Sequence, residues 1–398
     1  MEWSLAEGEL LRPGGFTAAA VACGLKKGGA LDLALLRADP PAPAAALFTK
    51  NRVRAAPVTL SAEHLGATGG RAAAILVNSG CANAATGPAG AAAAAETARL
   101  LAERLRVPPE QVLLASTGVI GVPLDLPKIA AAIPRLQEGL STDGLESVSR
   151  AILTTDTRAK TASARADVEG RDVSIAGFAK GAGMIHPDLA TMLVFLATDA
   201  RASASTLRSA LRRAADESFN RISIDGDTST NDSVFLLASG ASGVPLPPIS
   251  LAEGLEAVCR SLALQIVRDG EGATKLLEVE VLGALTSAEA EALARTIGSS
   301  LLVRTAVAGG DPNWGRILAA IGRARVPFDL GRLRVEANGV PLFVEGGPAD
   351  SPAAEKKRVF DAKEIRIRVD LRRGSSRARF WTSDLTEEYV RINARYTT

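Results

Sequence analysis

Residues Lys160 to Ala200 read "KTASARADVEGRDVSIAGFAKGAGMIHPDLATMLVFLATDA". Up to Lys180, apolar and polar side chains alternate on either side of Glu169-Gly170, the period-two pattern of a hairpin. A Gly-rich loop then leads, without a turn signal, into an apolar run with Ala190-Thr191 at the seam. On residue type two readings of Thr191 stay open. A β-branched Thr is ordinary at the start of a strand; alternatively, the loop holds its hydroxyl in place for chemistry.

Outward from this stretch, Ala-rich helices alternate with short β-branched runs. "AAAILVNSG" reads as a buried strand ending at Asn78, and "AGAAAAAETARLLAERLRV" as a helix charged on one face. "VLLASTGVIG" is a strand running into a Thr-Gly turn. "DLPKIAAAIPRLQEGL" is a helix with Pro127 in its first turn and Pro134 expected to interrupt it. Beyond Thr191 come strand "TMLVFLATD", helix "ASTLRSALRRAADESF", strand "NDSVFLLAS", helix "AEGLEAVCRSLALQIVRD" and strand "KLLEVEVLG". The final third adds helix "SAEAEALARTI", loop-helix "GGDPNWGRILAAIG" and strands in "LRVEANGVPLFVEG" and "EIRIRVDLRR". No repeat of fixed period is visible, and the mixture predicts an α/β protein of layered sheets covered by helices.

Composition narrows the function classes. With 398 residues and 47% apolar content, the chain can bury a sizeable core. Lys plus Arg total 46 against 44 Asp plus Glu, and aromatics are 4%. Neither a charge field nor a stacking surface for nucleic acid is present, and no long uncharged apolar run would span a membrane. Three cysteines, Cys23, Cys81 and Cys259, are widely spaced and form no CxxC pair, which argues against a disulfide framework or zinc site. The first residues, "MEWSLAEGELLRPGG", lack the basic-then-apolar layout of a signal peptide, so the expected location is cytoplasmic. His64 and His186 are the two histidines, and His64 reads as part of an exposed helix end. A His-rich metal site is excluded, and no metal is expected. "GGDPNWGR" and "KGAGMIHP" match neither GxxxxGK[ST] nor a GxGxxG opening a helix, so they read as turns rather than phosphate cradles.

A chain poor in histidine can still activate a Thr. If Thr191 becomes N-terminal by cleavage, its α-amine, with an ordinary pKa of about 7.7 to 8.0, can serve as the general base. Cleavage would follow from attack of the Thr191 hydroxyl on the Ala190 carbonyl, an N-to-O acyl shift and ester hydrolysis. The tetrahedral oxyanion needs donors, and "STGVIG" offers the Thr117 hydroxyl and the Gly118 N–H at a strand-to-loop turn. By itself one Thr after one loop favours the ordinary strand start, and STG is common in turns.

Seven longer stretches change that balance: "NSGCANAATG" (78–87), "STGVIG" (116–121), "ILTTDT" (152–157), "KGAGMIHPDLATML" (180–193), "STNDSV" (229–234), "DPNWGRI" (311–317) and the C-terminal "YVRINARYTT". Along nearly the whole length they resemble, in order, the ornithine acetyltransferase family, the ArgJ group of arginine biosynthesis. The resemblance implies an N-terminal-nucleophile-like, DmpA/ArgJ-like layered fold. It also implies self-cleavage between Ala190 and Thr191 into an α chain, 1–190, and a β chain, 191–398, assembled as a heterotetramer of two α and two β chains. Thr191 would take acetyl from N²-acetylornithine and pass it to glutamate by a ping-pong route, with Thr117 and Gly118 as the oxyanion hole.

Carried over residue by residue, Thr154 matches a substrate contact, with Thr155 and Thr157 close enough that a small gap would move the assignment. Lys180 matches a basic residue suited to the substrate α-carboxylate. Glu271, in "RDGEGATK", matches an acidic residue suited to an ammonium group, and Asn393 and Thr398 match two tail positions near substrate. Without the resemblance, Lys180 would read as a solvated loop lysine, Glu271 as a helix-end charge in a Gly turn and the tail as frayed. Cys81 reads as a small packing residue. No cofactor is implied, and since no motif reports on a coenzyme A adenine or pyrophosphate, acetyl-CoA stays open as a second acetyl donor. The competing enzyme reading is a self-processing aminopeptidase or amidase of a related fold, with water as acceptor. Asp188-Leu189 stand where the family more often has Asn-Met, and Ala182 where Ser is common. A charge beside the scissile bond is expected to alter the rate and pH dependence of processing.

Overall fold

In the computed structural model, residues 1–186 and 192–395 are described. They form two compact units: 1–220 with 227–266, and 221–226 with 267–395. The Ala190-Thr191 junction and Thr398 lie outside the described residues.

The first unit is organised around the expected hairpin. Lys160–Val168 pairs antiparallel with Arg171–Lys180, Val168 standing opposite Arg171. The two turn residues, Glu169 and Gly170, have φ of 54° and 77°. Two consecutive left-handed residues are what a tight two-residue hairpin turn requires. Leu193–Thr198 adds antiparallel to the second hairpin strand, Leu193 opposite Lys180, and runs parallel to Ser233–Ala238 on its other side. Leu33–Phe48, Arg71–Cys81 and Val112–Val119 continue this sheet, nine-stranded among the described residues.

Both faces of this sheet are buried, so its central strands are apolar at odd and even positions alike. Leu33, Leu35, Ala74, Leu76, Val112 and Leu114 pack with residues of the helices Gly87–Leu105 and Leu126–Glu138. Their neighbours Ala34, Leu36, Ile75, Val77 and Leu113 turn to the opposite cluster, which includes Leu145 and Val148 of the helix Leu145–Ala151. Each fully buried large aliphatic side chain contributes about 1.5–3 kcal/mol.

Two local readings, of Pro134 and of His64, are corrected here. Pro134 does not interrupt its helix: Leu126–Glu138 runs through it. Pro134 is exposed, while Ile129, Ala132, Ile133 and Leu136 are buried, and their burial offsets the lost backbone hydrogen bond. Leu33–Phe48 is a long strand despite "DPPAPA"; Pro40 and Pro41 fall where its register against Arg71–Cys81 shifts. His64, in the last turn of the helix Ala56–Ala67, is half-buried, its Nδ1 2.8 Å from the Val112 carbonyl oxygen.

In the second unit a seven-stranded sheet, counted among the described residues, centres on Leu276–Ala284. Leu277, Val279 and Val281 enter the core with Ile365, Ile367 and Val369. On the other face, Glu280 accepts hydrogen bonds from Arg368 at 2.8 Å and Arg379 at 2.9 Å. Helix Leu301–Ala308 and strand Ser376–Ser383 were not anticipated. The whole is the expected α/β arrangement of sheets flanked by helices. Among the described residues no helix is long and apolar enough to cross a membrane.

Candidate active site

The parallel strands Arg71–Cys81 and Val112–Val119 lose their regular register at one end: Gly80 stands opposite Gly118, and Cys81 opposite both Thr117 and Val119. Gly118 has φ 135°, and a Cβ there would lie 2.3 Å from the Gly80 carbonyl carbon and 2.5 Å from the Cys81 nitrogen. No side chain fits, so glycine is demanded by both conformation and space. Thr117, next to it, is buried. Cys81, across the bulge, is also buried; burial raises its thiol pKa, and its Sγ lies 3.3 Å from the Val122 carbonyl oxygen.

Lys180 ends the hairpin strand Arg171–Lys180 and is 4% exposed. Its Nζ donates to Thr117 Oγ1 at 3.3 Å. An ammonium has no acceptor, so the Thr117 hydroxyl proton must point elsewhere and remains available as a donor.

Asp156 organises the groups around Lys180. Its Oδ1 accepts from Lys160 Nζ at 2.5 Å and from the Gly181 N–H at 2.6 Å. Its Oδ2 accepts from the Thr154 N–H at 3.0 Å and lies 3.9 Å from Lys180 Nζ. Lys160 and the Asp156 carboxylate are both fully buried. Burial alone would push the carboxyl up, but the charges of Lys180 and Lys160, with the hydrogen bonds from Lys160 and Gly181, hold it down to about 2. Among the described residues, two ammonium groups, Lys160 and Lys180, face this one carboxylate.

The segment 229–232 ties the same corner to the strand that follows the Gly-rich loop. Asn231 Nδ2 donates to the Ala82 carbonyl at 2.7 Å and to the Ser116 carbonyl at 2.9 Å. The adjacent Asp232 accepts the Met192 N–H through Oδ1 at 2.9 Å. Backbone bonds from Thr49 N–H to the Asp232 carbonyl, 3.0 Å, and from Ser233 N–H to the Met192 carbonyl, 3.1 Å, fix both residues. Burial pushes the Asp232 carboxyl well above the usual range, outweighing the N–H groups of Met192 and Ser229 and the charge of Lys180.

In the second unit, Asn393 Nδ2 donates to Glu271 Oε2 at 2.8 Å. The turn before it is held against the C-terminal helix Glu387–Asn393: Thr386 Oγ1 donates to the Gly272 carbonyl at 2.7 Å. A Cβ on Gly272, φ 70°, would lie 2.4 Å from the Tyr389 nitrogen. Asp384, just ahead of that helix, accepts from the Thr274 and Lys275 N–H groups at 2.8 and 3.0 Å. As far as Asn393, therefore, the tail is docked rather than frayed.

Of the residues singled out from sequence, Thr117, Gly118, Thr154 and Lys180 stand together around Asp156, while Glu271 and Asn393 pair in the second unit. Thr155 is half-buried and Thr157 exposed. Ala190, Thr191 and Thr398 lie outside the described residues. Sequence reasoning missed Asp156, Lys160, Asn231 and Asp232. Asp156, Asn231 and Asp232 stood in "ILTTDT" and "STNDSV", but a lone polar residue in a loop reads as solvated. Among the described residues no group of three or more His, Cys, Asp or Glu could hold a metal ion.

Comparison with known proteins places this geometry in context. The family model described as the ArgJ family matches residues 17–398. The arginine biosynthesis bifunctional protein ArgJ of Thermus thermophilus is 49% identical, covering 97% of this chain and 99% of that protein. The protein of the same name from Dehalococcoides mccartyi is 46% identical over 99% of this chain and 98% of its own length. The crystal structure of the arginine biosynthesis bifunctional protein ArgJ from Bacillus halodurans matches with a TM-score of 0.49 and 40% identity, covering 51% of this chain and 98% of that chain.

Proposed function

The chain belongs to the ArgJ family, and on that premise we propose that it carries acetyl from N²-acetylornithine to glutamate on Thr191, after cleaving itself between Ala190 and Thr191. The observation that carries the reading is the buried corner in which Lys180 donates to Thr117 beside a Gly118 that tolerates no side chain. Such a corner suits a developing oxyanion: the Thr117 hydroxyl and Gly118 N–H as donors, with positive charge nearby, out of water.

In this reading the freed α-amine of Thr191 takes the hydroxyl proton as the oxygen attacks the acetyl carbonyl. The oxyanion collapses, ornithine leaves with a proton, and the glutamate amine then attacks the acetyl ester and restores the hydroxyl. Lys180 takes the α-carboxylate that both amino acids share. Thr154, Glu271, Asn393 and Thr398 complete the substrate contacts, Glu271 holding an ammonium group. Neither a metal nor a resident cofactor enters these steps. The curated relatives are named bifunctional, and the proposal extends to acetyl-CoA as a second donor to the same Thr191, in the cytoplasm.

Cleavage would divide the chain inside the first unit. Leu193–Thr198 of the β chain would keep its ladder to Arg171–Lys180 of the α chain, and Ser233–Ala238 its ladder to Leu33–Phe48. Shared strands support two chains that stay together, in an assembly of two α and two β chains.

Initial rates measured against both substrates, followed by acid quench and mass analysis, test the reading. Parallel lines and an acetyl group on the first residue of the β chain are expected. Intersecting lines with no adduct would refute the covalent carrier. Acetate released equally fast with and without glutamate would point to a hydrolase instead.

A further inference from the structure

Among the described residues Lys26 is a third ammonium at the Thr117-Gly118 corner, and the steps above leave it unused. Its loop is wrapped on one carboxylate. Asp32, 1% exposed, accepts the Cys23 N–H through Oδ1 at 2.6 Å, and those of Gly24, Leu25 and Lys26 through Oδ2 at 3.0, 2.6 and 2.8 Å. The Asp32 carbonyl takes the Ser79 N–H at 2.9 Å, which seats the loop where Ser79 and Gly80 stand opposite Thr117 and Gly118. A Cβ on Gly80, φ 101°, would lie 3.0 Å from the Leu25 carbonyl oxygen and 3.4 Å from Lys26 Cγ, so the Lys26 stem lies against the oxyanion turn. Lys26 Nζ donates to the Leu31 carbonyl at 3.1 Å and to the Ala151 carbonyl at 2.9 Å; the latter also accepts from Ser79 Oγ at 2.6 Å. An ammonium has three donors, and among the described residues the third has no acceptor. Lys26 is half-buried, whereas Lys160 is fully buried on Asp156. Burial lowers the Lys26 pKa; the Asp32 charge opposes this, the Lys180 charge adds to it and the Asp156 charge opposes it. Lys26 and Lys180 are thus near enough for their charges to interact.

We propose that Lys26 takes the side-chain carboxylate of the glutamate acceptor while Lys180 takes its α-carboxylate, so that Lys26 selects a dicarboxylic acceptor. The proposal rests on the reading of acetyl transfer from N²-acetylornithine to glutamate. In that reading two amino acids of opposite side-chain charge use one site in turn. Glu271, suited to ornithine's ammonium group, repels glutamate's second carboxylate, and that carboxylate needs a cation of its own. Lys180 is engaged by the carboxylate both amino acids share, and Lys160 by Asp156. Lys26 is the ammonium with a donor left. A charge-assisted hydrogen bond to it favours glutamate over glutamine, which has nearly the same shape and no side-chain charge.

Acetyl-enzyme prepared with N²-acetylornithine is mixed with glutamate or glutamine, and kcat/KM for removal of the acetyl group is measured for each. Losing a hydrogen bond between charged groups costs about ten- to a hundredfold. The glutamate-to-glutamine ratio is expected to fall by that factor in Lys26→Gln and to be largely kept in Lys26→Arg. An unmoved ratio would overturn the proposal, an equal loss for both acceptors included, since that is the mark of a lysine that only braces the corner. Because Lys26→Gln can fail to load acetyl, the wild-type protein is also footprinted. Reductive methylation of Lys26, read by peptide mass, is expected to slow more under saturating glutamate than under glutamine. Equal protection, or a Lys26 that the reagent never reaches, would likewise overturn the proposal. A wild type that forms no acetyl-Thr191, or keeps its acetyl in the presence of glutamate, counts against the proposed function. A wild type that does both, with either contrary Lys26 result, counts against Lys26 alone.

Discussion

Asp156→Asn removes the carboxylate that faces both Lys160 and Lys180. Its carboxyl is held down to about 2, against an ordinary value near 3.9, which corresponds to a stability contribution on the order of a few kcal/mol at neutral pH. The folded value lies below the unfolded one, so this contribution is present above about pH 4 and is lost as pH falls through about 2. The substitution does more than neutralise a charge, because it leaves two buried ammonium groups facing an amide. Breaking a buried pair from one side costs about 3–5 kcal/mol, which for a body of this size lowers the melting temperature by on the order of 10 °C. Thermal unfolding at pH 7, using Thr191→Ala as background so that every sample is one intact chain, measures this directly. Adding Lys160→Met should recover part of the loss, since Lys160 is fully buried and one of the two ammonium groups is then gone. A loss under about 1 kcal/mol, or a triple variant less stable than the double, would refute the reasoning.

Thr117→Ala should slow both self-cleavage and acetyl transfer by about a hundred- to a thousandfold, read as the rate of precursor loss and as kcat. Gly118→Ala should lower the urea midpoint, because its Cβ would lie 2.3 Å from the Gly80 backbone; an overpacking cost of about 1–3 kcal/mol is expected, and an unchanged midpoint would refute the fit argued for glycine. Gly272→Ala should loosen the C-terminal helix, since its Cβ would meet the Tyr389 nitrogen at 2.4 Å. Hydrogen exchange over Glu387–Asn393 should then quicken, while exchange in the sheet of the same unit stays as it was.

Periodicity made the sheets legible where burial is one-sided or continuous. The alternation in Lys160–Val168 and Arg171–Lys180 and the left-handed pair Glu169-Gly170 fixed one hairpin, and the apolar run of Arg71–Cys81 one buried strand. It failed where tertiary burial overrules local preference. Pro134 sits on the solvent side of an amphipathic helix whose other face is buried, and Pro40-Pro41 occupy a register shift, positions that the local sequence does not disclose. The oxyanion corner was visible as a Thr-Gly turn, because glycine at a strand end signals an unusual backbone. Asp156 and Asp232 were not, since their meaning comes from partners distant in the chain. The Asp156 carboxylate matters through Lys180, and Asp232 through Met192, 40 residues away. Glu271 and Asn393 are separated by 122 residues, and without the resemblance neither would have been paired with the other.

The central claim is that the chain cuts itself before Thr191 and carries acetyl there. Intact mass measurement of the purified protein, before and after incubation with N²-acetylornithine, tests both halves in one sample. Two species are expected, residues 1–190 and residues 191–398, the second beginning Thr-Met-Leu and gaining one acetyl mass on incubation, which glutamate then removes. A single 41.1 kDa chain, or two chains neither of which gains acetyl, would contradict it.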